Sequence, residues 1–342
     1  MKFSSFLFKR LILSIFVIFG LSILIFIIAR IVPGDPALMA LGPRAPKEVV
    51  ERLRQEMYLD KPLPEQYFYW IKGVFSGDFG RSLVTKRAVS EDIKEFLPAT
   101  LELAIFAGIL MVVFAIILGS SSARYKNTWV DNLIRTLSYF GVAIPAFVAA
   151  IIFMLLFGYY WPILPVLGRL SPGIIPPARV TGLLTLDSLI QGNFVVFWDA
   201  FKHLILPSVA LSLGALFQEA RITRSSMVDN MRKDFLSAEI GYGIPERVIM
   251  YKYLLKPSLI PTVSLMGLDF ASLFGNAFLV ETIFNWPGIS RYGITGMLNK
   301  DLNVISTVII IFGVIFVVVN IIVDIIVAFM DPRIRLSTSR GT

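Results

Sequence analysis

The chain has 342 residues, of which 56% are hydrophobic and only 16% are charged, whereas charged residues make up about a quarter of a typical soluble domain. The formal net charge is +8, but the basic residues cluster beside apolar runs, so this charge does not indicate nucleic-acid binding. Because the chain has no cysteine and one histidine, a disulfide framework, an iron–sulfur site, a thiol nucleophile and a histidine-rich metal site are excluded.

Apolar runs recur along the sequence, and several reach the roughly 20 residues that an α-helix needs to cross a hydrocarbon core. We therefore predict an all-α polytopic membrane protein with about six transmembrane helices. The predicted segments are an N-terminal tail with the first span at 1–32, an external cap at 33–98 and a five-helix core at 99–342, with spans at 100–122, 133–159, 204–224, 258–281 and 304–330 and a cytoplasmic tail at 331–342.

The first apolar run follows Lys9 and Arg10, which place its start in the cytoplasm. A cleaved signal peptide is the alternative interpretation. The run is long for a signal sequence, however, and it ends at Arg30 without an A-x-A-like cleavage site. We therefore expect a retained first span and, with about six spans, both termini in the cytoplasm.

Residues 33–98 form a polar segment in which acidic residues nearly balance the basic ones. Val49–Met57 has helical spacing, and residues 66–74 are rich in aromatic side chains. We predict a small helical cap on the external side. The cap is expected to pack over the mouth of the bundle and, in part, to dock an external partner.

Three residues interrupt the predicted spans with features that apolar helices normally lack. Pro145 should kink the helix at 133–159 or free a carbonyl, which a membrane tolerates only against protein or a water-filled cavity. Asp269 and Asn276 lie inside 258–281, where an acid is energetically costly. Pro145, Asp269 and Asn276 are therefore candidate pathway or gate residues. The alternatives are a packing kink at Pro145 and a paired structural acid at Asp269.

The stretch between the fourth and fifth spans, residues 225–257, is polar and basic, and we predict two short helices around a break. Apolar residues recur every four positions from Met227 to Phe235, which is helical spacing. Gly243 can supply a left-handed helix end, and Pro245 suits the first turn of the next helix. The basic residues place this loop in the cytoplasm as a handle for a partner. The alternative is a solvated loop with ordinary turn chemistry.

This loop resembles the EAA loop of ABC-transporter permease subunits, in the form found in dipeptide and oligopeptide importers. Its counterparts to that pattern are Phe235, Ser237-Ala238-Glu239, Gly243, Lys256-Pro257-Ser258 and Leu259-Ile260-Pro261. Where the family usually has one or two basic residues before the glycine, this chain has Ile240-Gly241-Tyr242. Further stretches resemble the same permeases in the same order along the chain, at 30–36, 59–64, 77–82, 97–103, 281–291 and 331–335.

The resemblance implies a type I ABC importer permease fold in a prokaryotic inner or plasma membrane. The implied partners are a second homologous permease subunit, two ATP-binding subunits, an extracytoplasmic substrate-binding protein and the lipid bilayer, with no nucleic acid. The chain itself would bind no cofactor, because ATP and Mg²⁺ would sit on the ATPase subunits. The implied cargo is a di- or oligopeptide, with oligosaccharide or nickel as alternatives. The residues implied to couple the chain to an ATPase are Phe235, Ser237, Ala238, Glu239, Gly243, Ile244 and Pro245.

Sequence motifs for catalysis are absent: there is no G-x-x-x-x-G-K-[ST] loop for ATP, no H-E-x-x-H and no G-x-S-x-G. We therefore predict a membrane subunit that is not itself an enzyme and takes its energy from another chain. The alternative classes are an ion-coupled carrier or channel, indicated only by Asp269 and the Pro145 kink, and a membrane-embedded hydrolase that would use Asp269 and Asp324.

Overall fold

The fold is given by a computed structural model, which describes residues 3–31, 36–42 and 44–330. Regular structure in these ranges is helical apart from an isolated bridge between Arg81 and Ala88, so the predicted all-α class is confirmed. The motif at 331–335 lies outside the described residues, as does most of the motif at 30–36.

The described helices follow one another along the chain, and short π-helical segments at Leu155–Tyr160 and Ile249–Leu254 follow the seventh and the eleventh. In order they are α1 (Phe3–Ile31), α2 (Pro36–Leu41), α3 (Lys47–Glu56), α4 (Leu63–Ser76), α5 (Val89–Arg124), α6 (Trp129–Ala143), α7 (Ala146–Met154), α8 (Leu184–Ile190), α9 (Phe194–Asn230), α10 (Asp234–Gly241), α11 (Glu246–Val248), α12 (Leu255–Ile283), α13 (Ile289–Leu298) and α14 (Leu302–Met330).

Among these described helices, five are long and apolar enough to cross a membrane, namely α1, α5, α9, α14 and the run from α11 through α12. A bent pair made of α6 and α7 brings the number to six if it counts as one span. Both α5 and α9 extend beyond the predicted spans at 100–122 and 204–224 at each end. Pro98 and Pro207 lie inside these two helices. Proline is tolerated there because neighbouring helices in a membrane bundle can compensate for a lost backbone hydrogen bond.

The predicted span at 133–159 is divided at Pro145. The axes of α6 and α7 differ in direction by 102°, which is far more than a kink. Pro145 has no N–H to continue α6, and it holds Ile144 in an extended conformation with φ −84° and ψ 116°. The segment is therefore a sharply bent pair of helices, which makes the sixth span if the pair counts as one.

The segment predicted as a cap contains α2, α3 and α4, and α4 packs on α1. The hydroxyl groups of Tyr67 and Ser22 are hydrogen-bonded at 2.7 Å, and the ring of Phe26 lies 5.3 Å from that of Tyr67. Farther along, Asp301 before α14 accepts hydrogen bonds from Ser82 Oγ at 2.8 Å and from the N–H of Leu83 at 2.5 Å. These contacts fix the segment to one end of the bundle, which we call the cap end.

A long loop at the cap end connects the π-helical turn after α7 to α9 and contains α8. Arg169 pairs with the buried carboxylate of Glu102 on α5 and lies over the ring of Trp286. Asp187 accepts hydrogen bonds from the N–H and Oγ1 of Thr181 at 2.7 and 2.6 Å and from the N–H of Gly182 at 2.9 Å. Burial alone would raise the pKa of Asp187, but these bonds outweigh it and hold the pKa below its ordinary value.

The stretch at 281–291 forms a tight turn between α12 and α13 at the cap end. Glu281 is fully buried and accepts hydrogen bonds from Thr100 Oγ1 at 2.5 Å and from the N–H of Arg291 at 2.7 Å. Trp286 is also buried, and its Nε1 donates to the carbonyl of Ala99 at 2.9 Å. The turn is thereby bound to α5, and the helix α13 that follows it was not predicted.

The core of the bundle lies where α5, α7, α9 and α12 meet, and many of its buried residues are alanines. Small side chains allow these helices to approach closely, as is typical of helix packing in membranes. The helix α6 approaches α9 closely at Gly141, where an added Cβ would clash with the ring of Phe217. Gly141 therefore fixes how the first half of the bent pair packs.

Candidate functional site

The basic loop, residues 225–257, contains the end of α9, all of α10 and α11, and the start of α12. Met227 belongs to α9, so the single helix predicted from Met227 to Phe235 is divided by a turn at 231–233. The reason is local, because Asp234 opens α10 and its carboxylate favours the positive end of a new helix dipole. Pro245 precedes α11 instead of lying in its first turn.

Gly243 ends α10 in the left-handed conformation, with φ +72°. Its N–H donates to the carbonyl of Ile240 at 2.9 Å, and the N–H of Ile244 donates to the carbonyl of Glu239 at 3.3 Å. These two bonds form a Schellman motif, in which the glycine position requires a positive φ. An added Cβ would meet open space, so only the backbone conformation demands glycine here.

The inner side of α10 is buried against the bundle. Leu236 is 6% exposed and packs with Met227 of α9 and with Ile249 and Leu254, which lead into α12. Ile244 is partly buried against the same cluster. Because α10 is packed on residues of both α9 and α12, we expect a force on α10 to move those two helices with it.

The basic loop exposes three large apolar side chains, Phe235, Ile240 and Tyr242, which are 41%, 61% and 83% exposed. The small side chains of Ser237 and Ala238 are also exposed. Apolar side chains left in water together commonly mark a surface for a partner. Ile240 and Tyr242 stand where the resembled family has basic residues, and sequence reasoning did not assign them a contact role.

Two polar contacts attach the basic loop to the ends of the spans. Asn230 Nδ2 at the end of α9 donates to Ser258 Oγ on α12 at 2.8 Å, and both side chains are buried. Arg124 at the end of α5 pairs with Glu246 at 3.4 Å. Glu239, by contrast, is half-buried on α10 between the anchored and the exposed sides. The loop is therefore a folded part of the bundle, which excludes a freely solvated loop.

The second group of predicted residues lies on α12. Asn276 is exposed, and the exposed residues Ser264, Ser272 and Gly275 follow the same side of the helix. We call these four residues the polar stripe. Lipid would leave the amide of Asn276 poorly satisfied, so a partner helix or a water-filled cavity is expected to cover the stripe.

Pro145 is exposed at the break between α6 and α7, on an element separate from the polar stripe. Ala149 and Ala150 of α7 pack into the core cluster that also contains Leu211 of α9 and Ala277 of α12. The helix that follows the break therefore packs against α12, which carries both Asp269 and Asn276.

Asp269 is half-buried on α12, and its carboxyl faces the carboxyl of Glu219 on α9. In the sequence, Glu219 belongs to the polar end of the predicted fourth span. The fold brings the two acids together across 50 positions of sequence, and no spacing rule could have paired them. No group of three or more potential metal ligands occurs among the residues that the structure describes.

Comparison with protein families gives two matches that together cover nearly all of the chain. Residues 111–336 match the family described as "Binding-protein-dependent transport system inner membrane component", and residues 3–104 match the N-terminal part of such membrane components.

Individual relatives are similar along their whole length. The chain is 37% identical over 320 residues to the "Probable D,D-dipeptide transport system permease protein" of Escherichia coli (strain K12), covering 94% of each chain. It is 37% identical over 327 residues to the dipeptide transport system permease protein of Alkalihalophilus pseudofirmus, covering 96% of this chain and 98% of that one. It is 33% identical over 328 residues to the glutathione transport system permease protein of Salmonella typhimurium, covering 96% and 97%.

Proposed function

Because the chain belongs to the family of inner-membrane components of binding-protein-dependent transport systems, we propose that it forms half of the translocation pathway of an ATP-driven importer for di- or oligopeptides. As a member it is a multi-pass inner-membrane permease, it is not itself catalytic, and no cofactor is expected on this chain. The family implies a binding protein and an ATPase as partners. A second homologous permease and a pair of ATPase subunits complete the proposed assembly.

The observation that carries this proposal is the two-sided structure of α10. Its exposed residues Phe235 and Ile240, with Tyr242 directly after it, are offered to a groove on an ATPase, while the buried Leu236 and the partly buried Ile244 hold the segment on the bundle. Closure of the ATPases around ATP would push α10 as a rigid element. The packed cluster would pass that movement to α9 and α12 and switch the bundle between two arrangements.

The remaining predicted coupling residues have roles that follow from their positions. Ser237 and Ala238 are small and exposed, so the ATPase surface can approach the backbone of α10. Gly243 and Pro245 set the angle between α10 and α11. Glu239 and the exposed basic residues of the loop would provide charge complementarity to the ATPase.

The polar stripe on α12 supports a pathway between this chain and a second permease. In this arrangement Asn276 and Asp269 line the solute route, and the break at Pro145 lies at its edge. The exposed hydroxyls of the stripe already donate within their own helix, from Ser264 to the carbonyl of Ile260 at 2.9 Å and from Ser272 to that of Asp269 at 2.8 Å. These two hydroxyls are therefore satisfied whether this side of α12 is packed against a helix or exposed to water.

The orientation that we propose places the basic loop and both termini in the cytoplasm. Arg10 on α1 pairs with Asp324 on α14 at 2.9 Å at the end of the bundle opposite the cap. This is the end that carries Arg124 and the basic loop, and its short connections are rich in basic residues, which the positive-inside rule places in the cytoplasm. The cap segment at 33–98 is longer than the roughly 60 residues for which that rule applies. The cap end then faces the binding protein outside.

A peptide is the proposed cargo because the relatives named above are permeases for dipeptides, D,D-dipeptides and glutathione. Oligosaccharide and nickel are the alternatives within the same architecture. Cargo selection in such a system would lie mainly in the binding protein, so the cargo is identified by measuring which ligands that protein binds.

The test is affinity purification of the full chain from its native membrane, with identification of the proteins that remain bound. We expect a second permease and ATPase subunits, and ATP-dependent peptide uptake after reconstitution with the binding protein. Tyr242→Asp should lose the ATPase and keep the second permease. Leu298→Asp, which alters an 80% exposed apolar residue at the cap end, should keep the ATPase. Recovery of a stable chain with no ATPase would overturn the proposal in favour of an ion-coupled carrier or channel.

A further inference from the structure

Glu219 and Asp269, which we call the acid pair, lie at membrane depth. Asp269 is midway between Leu255 and Ile283, the two ends of α12, and Glu219 is well inside α9. Water cannot solvate a carboxylate at this depth unless the site opens to a cavity. The state of the pair therefore depends on the groups around it.

The acid pair has no donor from the rest of the described chain. Glu219 is 0% exposed, and both of its carboxyl oxygens, together with Oδ2 of Asp269, accept no hydrogen bond from any described N–H or O–H group. Buried polar atoms in folded proteins nearly always have a partner. Three unsatisfied oxygens at one place indicate that the site binds something that carries a donor or a positive charge.

No basic side chain in the described part of the chain compensates the pair. The charged group that acts on Glu219 is Asp269, another acid. The nearest cations along α9 are engaged on α6, where Arg221 lies over the ring of Tyr139 and Arg224 pairs with Asp131. On the other packed elements, Asp324 of α14 pairs with Arg10, and Glu102 of α5 pairs with Arg169. Arg124 lies at the end of α5, where it pairs with Glu246, and α7 has no titratable side chain.

Two carboxylates that face each other in an apolar site cannot both be ionised. We propose that Glu219 and Asp269 form a binding site for one proton, which the two carboxyls share and which joins α9 to α12 in the middle of the membrane. The protonated carboxyl donates to the carboxylate, so the proton supplies the missing donor. Glu219 is fully buried, whereas Asp269 is half-buried beside the polar stripe.

This arrangement makes the contact between α9 and α12 dependent on the proton. Loss of the proton leaves two like charges in contact and drives the two helices apart. Any movement that separates α9 from α12 would likewise release the proton to water. The inference requires only that the chain spans a membrane, and it stands whether or not the proposed importer function is correct.

The direct test is infrared difference spectroscopy of the full chain, with whatever copurifies, in lipid nanodiscs. The wild-type minus Glu219→Gln spectrum at neutral pH should contain the C=O band of one protonated carboxylic acid. The glutamine N–H can donate to Asp269 as the protonated acid does, so this variant should fold. Glu91→Gln, which alters an exposed acid at the start of α5, should give no such band. Absence of the band from the first difference spectrum would overturn the proposal.

A second test measures thermal unfolding as the pH is raised from neutral to alkaline. The melting temperature of the wild-type protein and of Glu91→Gln should fall, whereas Glu219→Gln should lose most of this pH dependence. Asp269→Asn should lose only the part that repulsion between the two carboxylates contributes. Parallel curves for all four proteins would overturn a shared proton. So would a wild-type melting temperature that falls when sodium is replaced by choline at constant ionic strength, with Glu219→Gln unaffected, because an alkali cation would then occupy the site.

Discussion

Arg224 on α9 binds Asp131 at the start of α6 through two parallel hydrogen bonds, from Nε at 2.6 Å and from a terminal guanidinium nitrogen at 2.7 Å. Asp131 is fully buried and also accepts hydrogen bonds from Ser122 Oγ of α5 at 2.6 Å and from the N–H of Asn127 at 3.0 Å. A bidentate pair with further donors satisfies the whole carboxylate. This contact joins three helices beside the basic loop.

Asp131→Ala should lower the free energy of unfolding by about 3 kcal/mol, because it removes one partner of a buried ion pair and leaves the Arg224 charge uncompensated. The measurement is chemical unfolding of the purified chain in detergent. Asp229→Ala is the matched control, since Asp229 is an exposed acid at the end of α9. Equal stability of the two variants would show that the pair contributes no more than a surface charge.

The features that local rules control could be predicted from the sequence. The left-handed end of α10 follows from the conformational freedom of Gly243, and the break after α6 follows from the missing N–H of Pro145. The angle at Pro145 could not be predicted, because the packing of α7 on α9 and α12 determines it. Hydropathy likewise located the long apolar helices, although α9 extends beyond the predicted span at 204–224 at both ends.

Contacts between distant residues could not be predicted, because one sequence contains no information on which helix faces meet. Glu219 looked like an ordinary polar residue near a span end, although it faces Asp269. The exposed apolar residues Ile240 and Tyr242 looked like departures from a family pattern, although they are the most exposed apolar side chains of α10 and its end. Their apolar character at positions where the family usually has basic residues is the signal that could have identified them as contact residues.

Gly243→Val should uncouple ATP hydrolysis from solute uptake or prevent assembly. A β-branched residue at φ +72° costs about 1–3 kcal/mol, and relief of this strain would reorient α10 against α11. The measurement is the ratio of ATP hydrolysed to peptide transported in proteoliposomes. Gly241→Ala is the control, because Gly241 lies in α10 with open space around its Cβ position. Unchanged uptake by the valine variant would contradict the Schellman turn.

Leu236→Ala and Phe235→Ala should separate anchoring from docking. Leu236 is 6% exposed, so its truncation should cost about 2–4 kcal/mol of unfolding free energy and loosen α10 from the bundle. Phe235 is 41% exposed, so its truncation should leave stability nearly unchanged and reduce the ATPase recovered with the chain. Thermal unfolding and quantified copurification measure the two effects. A stable Leu236→Ala chain with normal ATPase recovery would contradict the assigned inner side.

The cap-end loop should loosen in acid because of Asp187. Its pKa in the folded chain lies below its ordinary value, so its contribution to stability is present above that value, about 3.9, and is lost as the pH falls through the folded pKa. Asp187→Asn removes the contribution at neutral pH. Hydrogen exchange at the N–H groups of Thr181 and Gly182 should therefore be faster in the variant at neutral pH, and the difference should shrink in acid.

Gln191→Ala provides the matched control for this pH dependence. Gln191 holds the same loop through Ala178, whose N–H donates to Oε1 at 3.0 Å and whose carbonyl accepts from Nε2 at 2.5 Å. An amide does not titrate, so the faster exchange caused by Gln191→Ala should persist from neutral to acid pH. If the effect of Asp187→Asn persisted in the same way, the carboxylate charge would not be what holds the loop.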